Sequence, residues 1–133
     1  MWVIPRVIIN KILGHAQRTA PQECVGILSG QGREITGWHP LTNSLEQTTR
    51  FLADPNQQLQ LFKQLRETDR SVLAIYHSHP TTPPIPSALD LSQSQYPDAL
   101  YLIVSMSIQG CLEIEGYRIQ NGQATKESLT IRD

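Results

Sequence analysis

The apolar run SVLAIY at residues 71–76 most constrains the fold of this chain, because it continues directly into the histidine pair HSH at residues 77–79. An apolar run of this length is typical of a strand at the centre of a sheet, covered on both faces. A second run, ALYLIVSM at residues 99–106, has the same character. The two runs predict a sheet as the framework of the fold, with polar side chains at the end of a central strand.

Further strands are predicted from shorter patterns. The segments are MWVI, CVGILSG, REITGWHPL, TTRFLA, CLEIEGYRI and ATKESLTIR. Gly30 and Gly32 indicate a turn between CVGILSG and REITGWHPL, which would form a hairpin.

Helices are predicted between these strands. One begins at Pro5 and ends before Pro21, because its apolar residues have helical spacing. The segment DPNQQLQLFKQLRETD predicts a second helix, with Asp54 as N-cap, Pro55 at the first position and an apolar face of Leu59, Phe62 and Leu65 with Leu61 beside it. A third should begin near Ser87. The pattern favours one α/β domain over residues 1–133, built on a mixed or largely antiparallel sheet.

Composition limits the classes of function. The 133 residues are 39% hydrophobic and 17% charged with a net charge of -1, and no basic run favours nucleic-acid binding. Cys24 and Cys111 are expected to be buried thiols in a reducing compartment. The N-terminal segment is broken by Pro and charged residues, so we expect neither a signal peptide nor a membrane span, and a cytoplasmic location.

His77 and His79 are candidate metal ligands. Successive side chains on a strand point to opposite faces, so these two imidazoles should project together and Ser78 should face the other way. Two such imidazoles can share a Zn²⁺ ion at about 2.0–2.1 Å. Two histidines in this spacing are also common as structural residues, so the pattern alone leaves both interpretations open.

The segment SALD, at residues 87–90, adds two polar side chains to this pattern. Ser87 and Asp90 have the spacing of a capping box, and the same spacing places Asp90 where it could be a third, anionic ligand. Two histidines and one carboxylate leave one tetrahedral position open, as in catalytic zinc sites, where a bound water has a pKa of about 7. A general base would still be needed; Glu23 is a candidate, although its spacing fits a solvated loop residue equally well.

The combined pattern E…HSHP-x6-S-x2-D resembles the JAMM motif of MPN-domain metalloproteases, and the similarity extends over nearly the whole chain. The resemblance implies that His77, His79 and Asp90 bind one Zn²⁺ per chain. It implies that Glu23 is the general acid/base and that Ser87 stabilises the oxyanion. The implied fold is a curved mixed β-sheet flanked by helices, similar to that of cytidine deaminases.

The resemblance also implies a substrate class. JAMM proteases cut after the C-terminal Gly-Gly of ubiquitin-like proteins, and this short chain resembles the compact members that act on sulfur-carrier proteins. It implies no nucleic-acid or membrane partner and leaves the oligomeric state open. A non-catalytic MPN-type interaction module and a zinc amidase for a small molecule are the alternatives. Trp38, Asn43 and Phe51 could line a substrate groove, and the stiff segment TTPPIP could border it.

Overall fold

The structure is a computed structural model that describes residues 1–43, 55–94, 96–108 and 111–133. Its elements in chain order are β1 (Trp2–Pro5), α1 (Arg6–Thr19), β2 (Val25–Gln31), β3 (Glu34–Leu41), α2 (Pro55–Glu67), β4 (Ser71–His79), α3 (Ala88–Gln93), β5 (Leu100–Ile108), β6 (Cys111–Gln120), β7 (Gln123–Glu127) and β8 (Leu129–Arg132). The predicted strand TTRFLA and the predicted cap Asp54 lie outside the described residues. Within these ranges, no helix combines the length and apolarity needed to cross a membrane.

The described strands form one sheet in the order β7-β6-β5-β4-β2-β3-β1-β8. Strand β4 lies in the middle, antiparallel to β2 and parallel to β5. Strand β1 is parallel to both of its neighbours, β3 and β8. The sheet is therefore mixed, as predicted, and the apolar run at residues 71–76 forms most of a central strand.

The prediction of one strand over ATKESLTIR is wrong. This segment forms β7, which pairs with β6 at one end of the sheet order, and β8, which pairs with β1 at the other end. The chain changes direction at Ser128, whose carbonyl accepts a hydrogen bond from the N–H of Trp2 at 3.1 Å. Because only Ser128 separates two strands at opposite edges, the sheet curves until these edges approach each other.

Helix α1 covers one face of this sheet. Its buried residues recur at helical spacing and form a single apolar stripe, which consists of Ile8, Ile9, Ile12 and Ala16. This stripe packs against side chains of the central strands, among them Leu28, Tyr76, Leu102 and Val104. The helix ends at Thr19, before Pro21, as predicted.

Helix α2 covers part of the opposite face, but not with all the residues predicted for it. Leu61 and Leu65 are buried against Val25 and Ile27, with Phe62 beside them, whereas Leu59 is 67% exposed. Residues two apart on a helix lie about 200° apart around its axis, so burying Leu61 turns Leu59 toward solvent. The buried pair, Leu61 and Leu65, has i, i+4 spacing. The prediction was therefore wrong in placing Leu59 on the apolar face and Leu61 beside it.

Candidate metal centre

The end of β4 presents two imidazole groups on the sheet face that α2 and α3 cover. His77 and His79 are both buried, and their Nε2 atoms lie 3.2 Å apart. Their two-residue spacing on a strand accounts for the common orientation. Ser78 between them faces the α1 side, as the alternation predicted, and its hydroxyl accepts a hydrogen bond from the N–H of Cys24 at 2.8 Å.

The first turn of α3 brings a carboxylate to the same place. Asp90 Oδ2 lies 3.2 Å from His77 Nε2 and 3.0 Å from His79 Nε2. Ser87 caps the helix: its N–H donates to Asp90 Oδ2 at 2.9 Å, and its Oγ accepts the N–H of Asp90 at 3.0 Å. The capping box and the position beside the imidazoles therefore coexist, and the cap holds the carboxylate in its orientation.

The donor atoms fit a tetrahedral metal ion. The two Nε2 atoms and Asp90 Oδ2 are 3.0–3.2 Å from one another. Zinc at about 2.0–2.1 Å from each tetrahedral ligand would separate ligand atoms by about 3.3–3.4 Å. Only a small outward movement of these atoms is needed to place an ion between them.

The tautomer of His79 supports the same conclusion. Its Nδ1 lies 2.9 Å from the carbonyl oxygen of Pro83, which can only accept, so Nδ1 carries a proton. Burial lowers the pKa of His79, but its hydrogen bonds to Asp90 and Pro83 outweigh this and raise it. In the protonated ring Nε2 donates to Asp90 Oδ2 at 3.0 Å, and a metal ion would take the place of that proton, which makes the cluster one that could bind a metal.

Glu23 joins this cluster from the segment that precedes β2. The antiparallel register that pairs Val25 with His77 brings the residues before β2, Glu23 among them, alongside the end of β4. A carboxylate oxygen of Glu23 and ring nitrogens of His77 and His79 all lie within 4.8 Å of one another. Glu23 is 4% exposed, so it is not the solvated loop residue that its spacing also allowed.

Electrostatics separates the two carboxyl groups. Burial raises the pKa of Glu23 to about 7; His79 opposes this shift and Asp90 adds to it. Burial alone would also raise the pKa of Asp90, but hydrogen bonds from His77 and His79 outweigh it and hold that pKa well below its usual range. Asp90 is thus a permanent anion, whereas Glu23 can bind or release a proton near neutral pH.

Two side chains hold the backbone at Glu23. Asn43 donates from Nδ2 to the carbonyl oxygen of Glu23 at 2.8 Å. Ser78 accepts the N–H of Cys24 through its hydroxyl, and its own N–H donates to the Cys24 carbonyl at 3.2 Å. The sequence predicted only that Ser78 faces away from the histidines and that Asn43 could line a groove, because neither pattern shows a backbone partner.

Other residues singled out in the sequence lie elsewhere. Cys24 belongs to the core beneath α1, as expected for a buried thiol, and burial raises its pKa to about 11. Trp38 does not line a groove beside the cluster; it packs on the α1 side and donates to the hydroxyl of Tyr76 at 3.0 Å. His15 bonds the same hydroxyl at 2.8 Å. Phe51 and the side chain of Cys111 lie outside the described part of the chain.

The fold and the cluster place this chain in the JAB1/MPN class. A JAB1/MPN domain protein from Archaeoglobus fulgidus has the same fold, with a TM-score of 0.63 and 20% identity over 100% of both chains. The solution structure of protein DSY2949 from Desulfitobacterium hafniense superposes with a TM-score of 0.89 and 28% identity, covering 100% of this chain and 94% of that one. Residues 5–117 match the prokaryotic homologs of the JAB domain, and the chain belongs to this family.

Curated relatives show what similar chains do. The CysO-cysteine peptidase of Mycobacterium tuberculosis is 33% identical over 131 residues, which cover 97% of this chain and 90% of the relative. A probable TtuB-protein conjugate cleaving protease from Thermus thermophilus is 33% identical over 117 residues, 87% of this chain and 78% of that protein. These names confirm the resemblance stated from the motif and describe peptidases.

Proposed function

We propose that this protein is a zinc-dependent peptidase that hydrolyses the amide bond after the C-terminal Gly-Gly of a ubiquitin-like or sulfur-carrier protein. The observation that carries the proposal is the convergence of two imidazole nitrogens and a carboxylate oxygen at 3.0–3.2 Å, beside a buried carboxyl group whose pKa is about 7. The substrate class rests on the relatives, one named for CysO-cysteine and the other for TtuB-protein conjugates.

Each residue of the cluster has a role in this proposal. His77 and His79 hold the metal through Nε2, and Asp90 holds it through Oδ2, so that one zinc binds per chain. When bound, zinc supplies a Lewis acid that polarises the scissile carbonyl and acidifies water. Ser87 uses its hydroxyl oxygen as acceptor in the cap, which leaves its proton to be donated to the oxyanion that develops on the substrate.

Glu23 moves the proton. As the ionised carboxylate it accepts a proton from the attacking water, and as the acid it delivers that proton to the nitrogen of the leaving amine. A pKa of about 7 suits both steps, because neither protonation state is strongly favoured near neutral pH. The bonds from Asn43 and Ser78 to the backbone at residues 23–24 fix the starting point of this side chain.

The test is cleavage of carrier fusions. Each Gly-Gly-ending ubiquitin-like carrier of the source organism would be joined through its C-terminus to a reporter peptide and, separately, to a single cysteine. Zinc-loaded wild type should cut after the second glycine. Glu23→Gln should keep one zinc per chain and lose about 100-fold or more in rate, because it preserves shape and removes the proton carrier.

Three other results would contradict the proposal. Full activity of Glu23→Gln would remove Glu23 from the mechanism. If the zinc-loaded protein cut small amides but no carrier, its substrates would be small molecules and not Gly-Gly carriers. A protein that binds no zinc and cuts nothing would indicate a non-catalytic interaction module.

A further inference from the structure

The Pro-rich loop between β4 and α3 is held at three successive carbonyl groups. The carbonyl oxygen of Thr82 accepts from Ser105 Oγ at 2.6 Å. That of Pro83 accepts from His79 Nδ1 at 2.9 Å, and that of Pro84 accepts from the hydroxyl of Tyr117 at 2.8 Å. The donors come from β5, β4 and β6, so three neighbouring strands fix one short loop.

The loop depends on these side chains for its conformation. Pro80, Pro83, Pro84 and Pro86 have no N–H, so most of its hydrogen bonds must be made through carbonyl oxygens. Proline also fixes φ, so a shift of one carbonyl group is passed to the next peptide rather than absorbed between them. The stiffness predicted from TTPPIP thus has a structural cause in the donors beneath the loop.

Pro83 connects the loop to the metal cluster. Its carbonyl accepts the Nδ1 proton of His79 and thereby leaves Nε2 free to face His77 and Asp90. The same oxygen accepts the N–H of Ile85 at 2.8 Å. The carbonyl groups on either side of Pro83 are the ones that Ser105 and Tyr117 hold.

We propose that Tyr117 and Ser105 are positioning residues for the metal site, which act on His79 through the loop by keeping the Pro83 carbonyl in place. The proposal rests on the metal-binding part of the proposed function. Both residues are suited to the role, since Ser105 is 1% exposed and Tyr117 is 8% exposed. Burial also raises the pKa of Tyr117, so its hydroxyl remains a donor.

Tyr101 provides a matched control. It is the direct partner of Tyr117 across β5 and β6, is 7% exposed and belongs to the same apolar cluster. Its hydroxyl accepts the N–H of Tyr96 at 3.1 Å instead of donating to the Pro-rich loop. Tyr→Phe at either position removes one buried hydroxyl from the same face of the sheet.

The experiment compares Tyr117→Phe, Ser105→Ala, their double mutant and Tyr101→Phe. Zinc affinity is measured by competition with a chromophoric chelator. ¹⁵N NMR of the metal-free protein, at a pH at which the His79 ring is neutral, reports which of its ring nitrogens carries the proton. We expect Tyr117→Phe and Ser105→Ala to weaken zinc binding by about threefold to tenfold and Tyr101→Phe by less than about twofold. Because Tyr117 and Ser105 act on the same loop, the effects of Tyr117→Phe and Ser105→Ala on zinc affinity should not add in the double mutant.

The metal-free NMR measurement separates this inference from the proposed function. A shift of His79 toward mixed tautomers in Tyr117→Phe and Ser105→Ala, but not in Tyr101→Phe, would support it even if no carrier is cut. Equal effects of the two Tyr→Phe changes, or an unchanged His79 ring with only a lower unfolding temperature, would overturn it. If Tyr117→Phe fails to fold, Ser105→Ala against Tyr101→Phe decides the same question.

Discussion

Glu23 is a buried carboxyl group, and its ionisation in the folded protein costs free energy because the charge is removed from water. Its pKa of about 7 lies above its ordinary value of 4.5, so the folded metal-free protein binds this proton more tightly than the unfolded chain does. The contribution to stability is therefore fully present below about pH 4.5 and is lost as the pH rises through about 7. Glu23→Gln does not titrate and should avoid this loss.

The expected result is that Glu23→Gln gains stability relative to wild type between pH 5 and pH 8. Urea unfolding of chelator-treated protein at both pH values measures the two differences, and groups that titrate alike in both proteins cancel. A constant difference across this range would show that Glu23 ionises at its ordinary pKa.

Asp90 serves both the helix and the metal cluster, and a single substitution can separate these tasks. Asp90→Asn keeps an oxygen that can accept the N–H of Ser87, but it removes the negative charge beside the two imidazoles. We expect zinc affinity to fall by more than about 100-fold, because a direct ligand should count for more than an outer partner. The metal-free protein should also unfold more easily at neutral pH, because the substitution removes the anion that the two imidazoles stabilise. Zinc affinity equal to that of wild type would leave Asp90 as a helix cap alone.

The histidine pair and the cap could be predicted because their rules are local, whereas Glu23 was assigned to the cluster only by the resemblance. Strand alternation places His77 and His79 together, and i, i+3 spacing places Asp90 beside the cap of Ser87. The residues that hold the cluster could not be predicted in this way. Ser105 and Tyr117 bond backbone carbonyls 23 and 33 residues away, and a backbone acceptor leaves no trace in the pattern of side chains.

The ring of Tyr76 on β4 lies across β2 at a residue that has no side chain. Gly26 pairs with Tyr76, and a Cβ at position 26 would lie 2.2 Å from the Tyr76 ring. The ring cannot easily move, since its hydroxyl bonds both His15 and Trp38. Gly26→Ala should therefore destabilise the protein by about 1–3 kcal/mol, as overpacking of a core does. Thermal or urea unfolding measures the change.

Gly14→Ala is the control for this prediction and should have the opposite sign. A Cβ there meets the end of the Arg18 side chain at 3.0 Å, and a guanidinium group on a long stem can move aside. Replacing a helix-interior glycine by alanine should stabilise α1 by about 0.5–1 kcal/mol. Equal effects of the two substitutions would mean that the contact with Tyr76 has no special cost.

The strands that the sequence predicts wrongly differ from the others in a physical way. The turn between β6 and β7 is marked by Asn121 and Gly122, both at positive φ, a pairing typical of tight hairpins. The break between β7 and β8 has neither Gly nor Pro to mark it in the sequence. At Ser128 the chain leaves β6 and pairs instead with a strand near the opposite edge of the sheet. That partner, β1, is set by the curvature of the sheet and not by any residue of the segment itself.

Curvature also brings distant parts of the sheet into contact. A Cβ at Gly116 on β6 would lie 2.9 Å from Leu129 Cδ2 on β8, although these strands are near opposite ends of the sheet order. The metal cluster is assembled differently, from the ends of β2 and β4 and the start of α3. A bound metal ion would therefore link β4 and α3 directly. It would not link the seam, the contact between β6 and β8 at Gly116 and Leu129.

This division predicts where zinc should protect the backbone from hydrogen exchange. Binding to the folded state alone stabilises it by about 2.7 kcal/mol at a free zinc concentration 100 times the Kd. Amides of residues 77–93 should therefore exchange more slowly with zinc, because opening there releases the ion. Amides of β8, an edge strand paired only with β1 among the described strands, should exchange by local fraying and show no change. In Asp90→Asn, the same zinc concentration should not slow exchange in residues 77–93. Equal slowing in β8 and in residues 77–93 would mean that the two regions open together, and that the seam is as stable as the centre of the sheet.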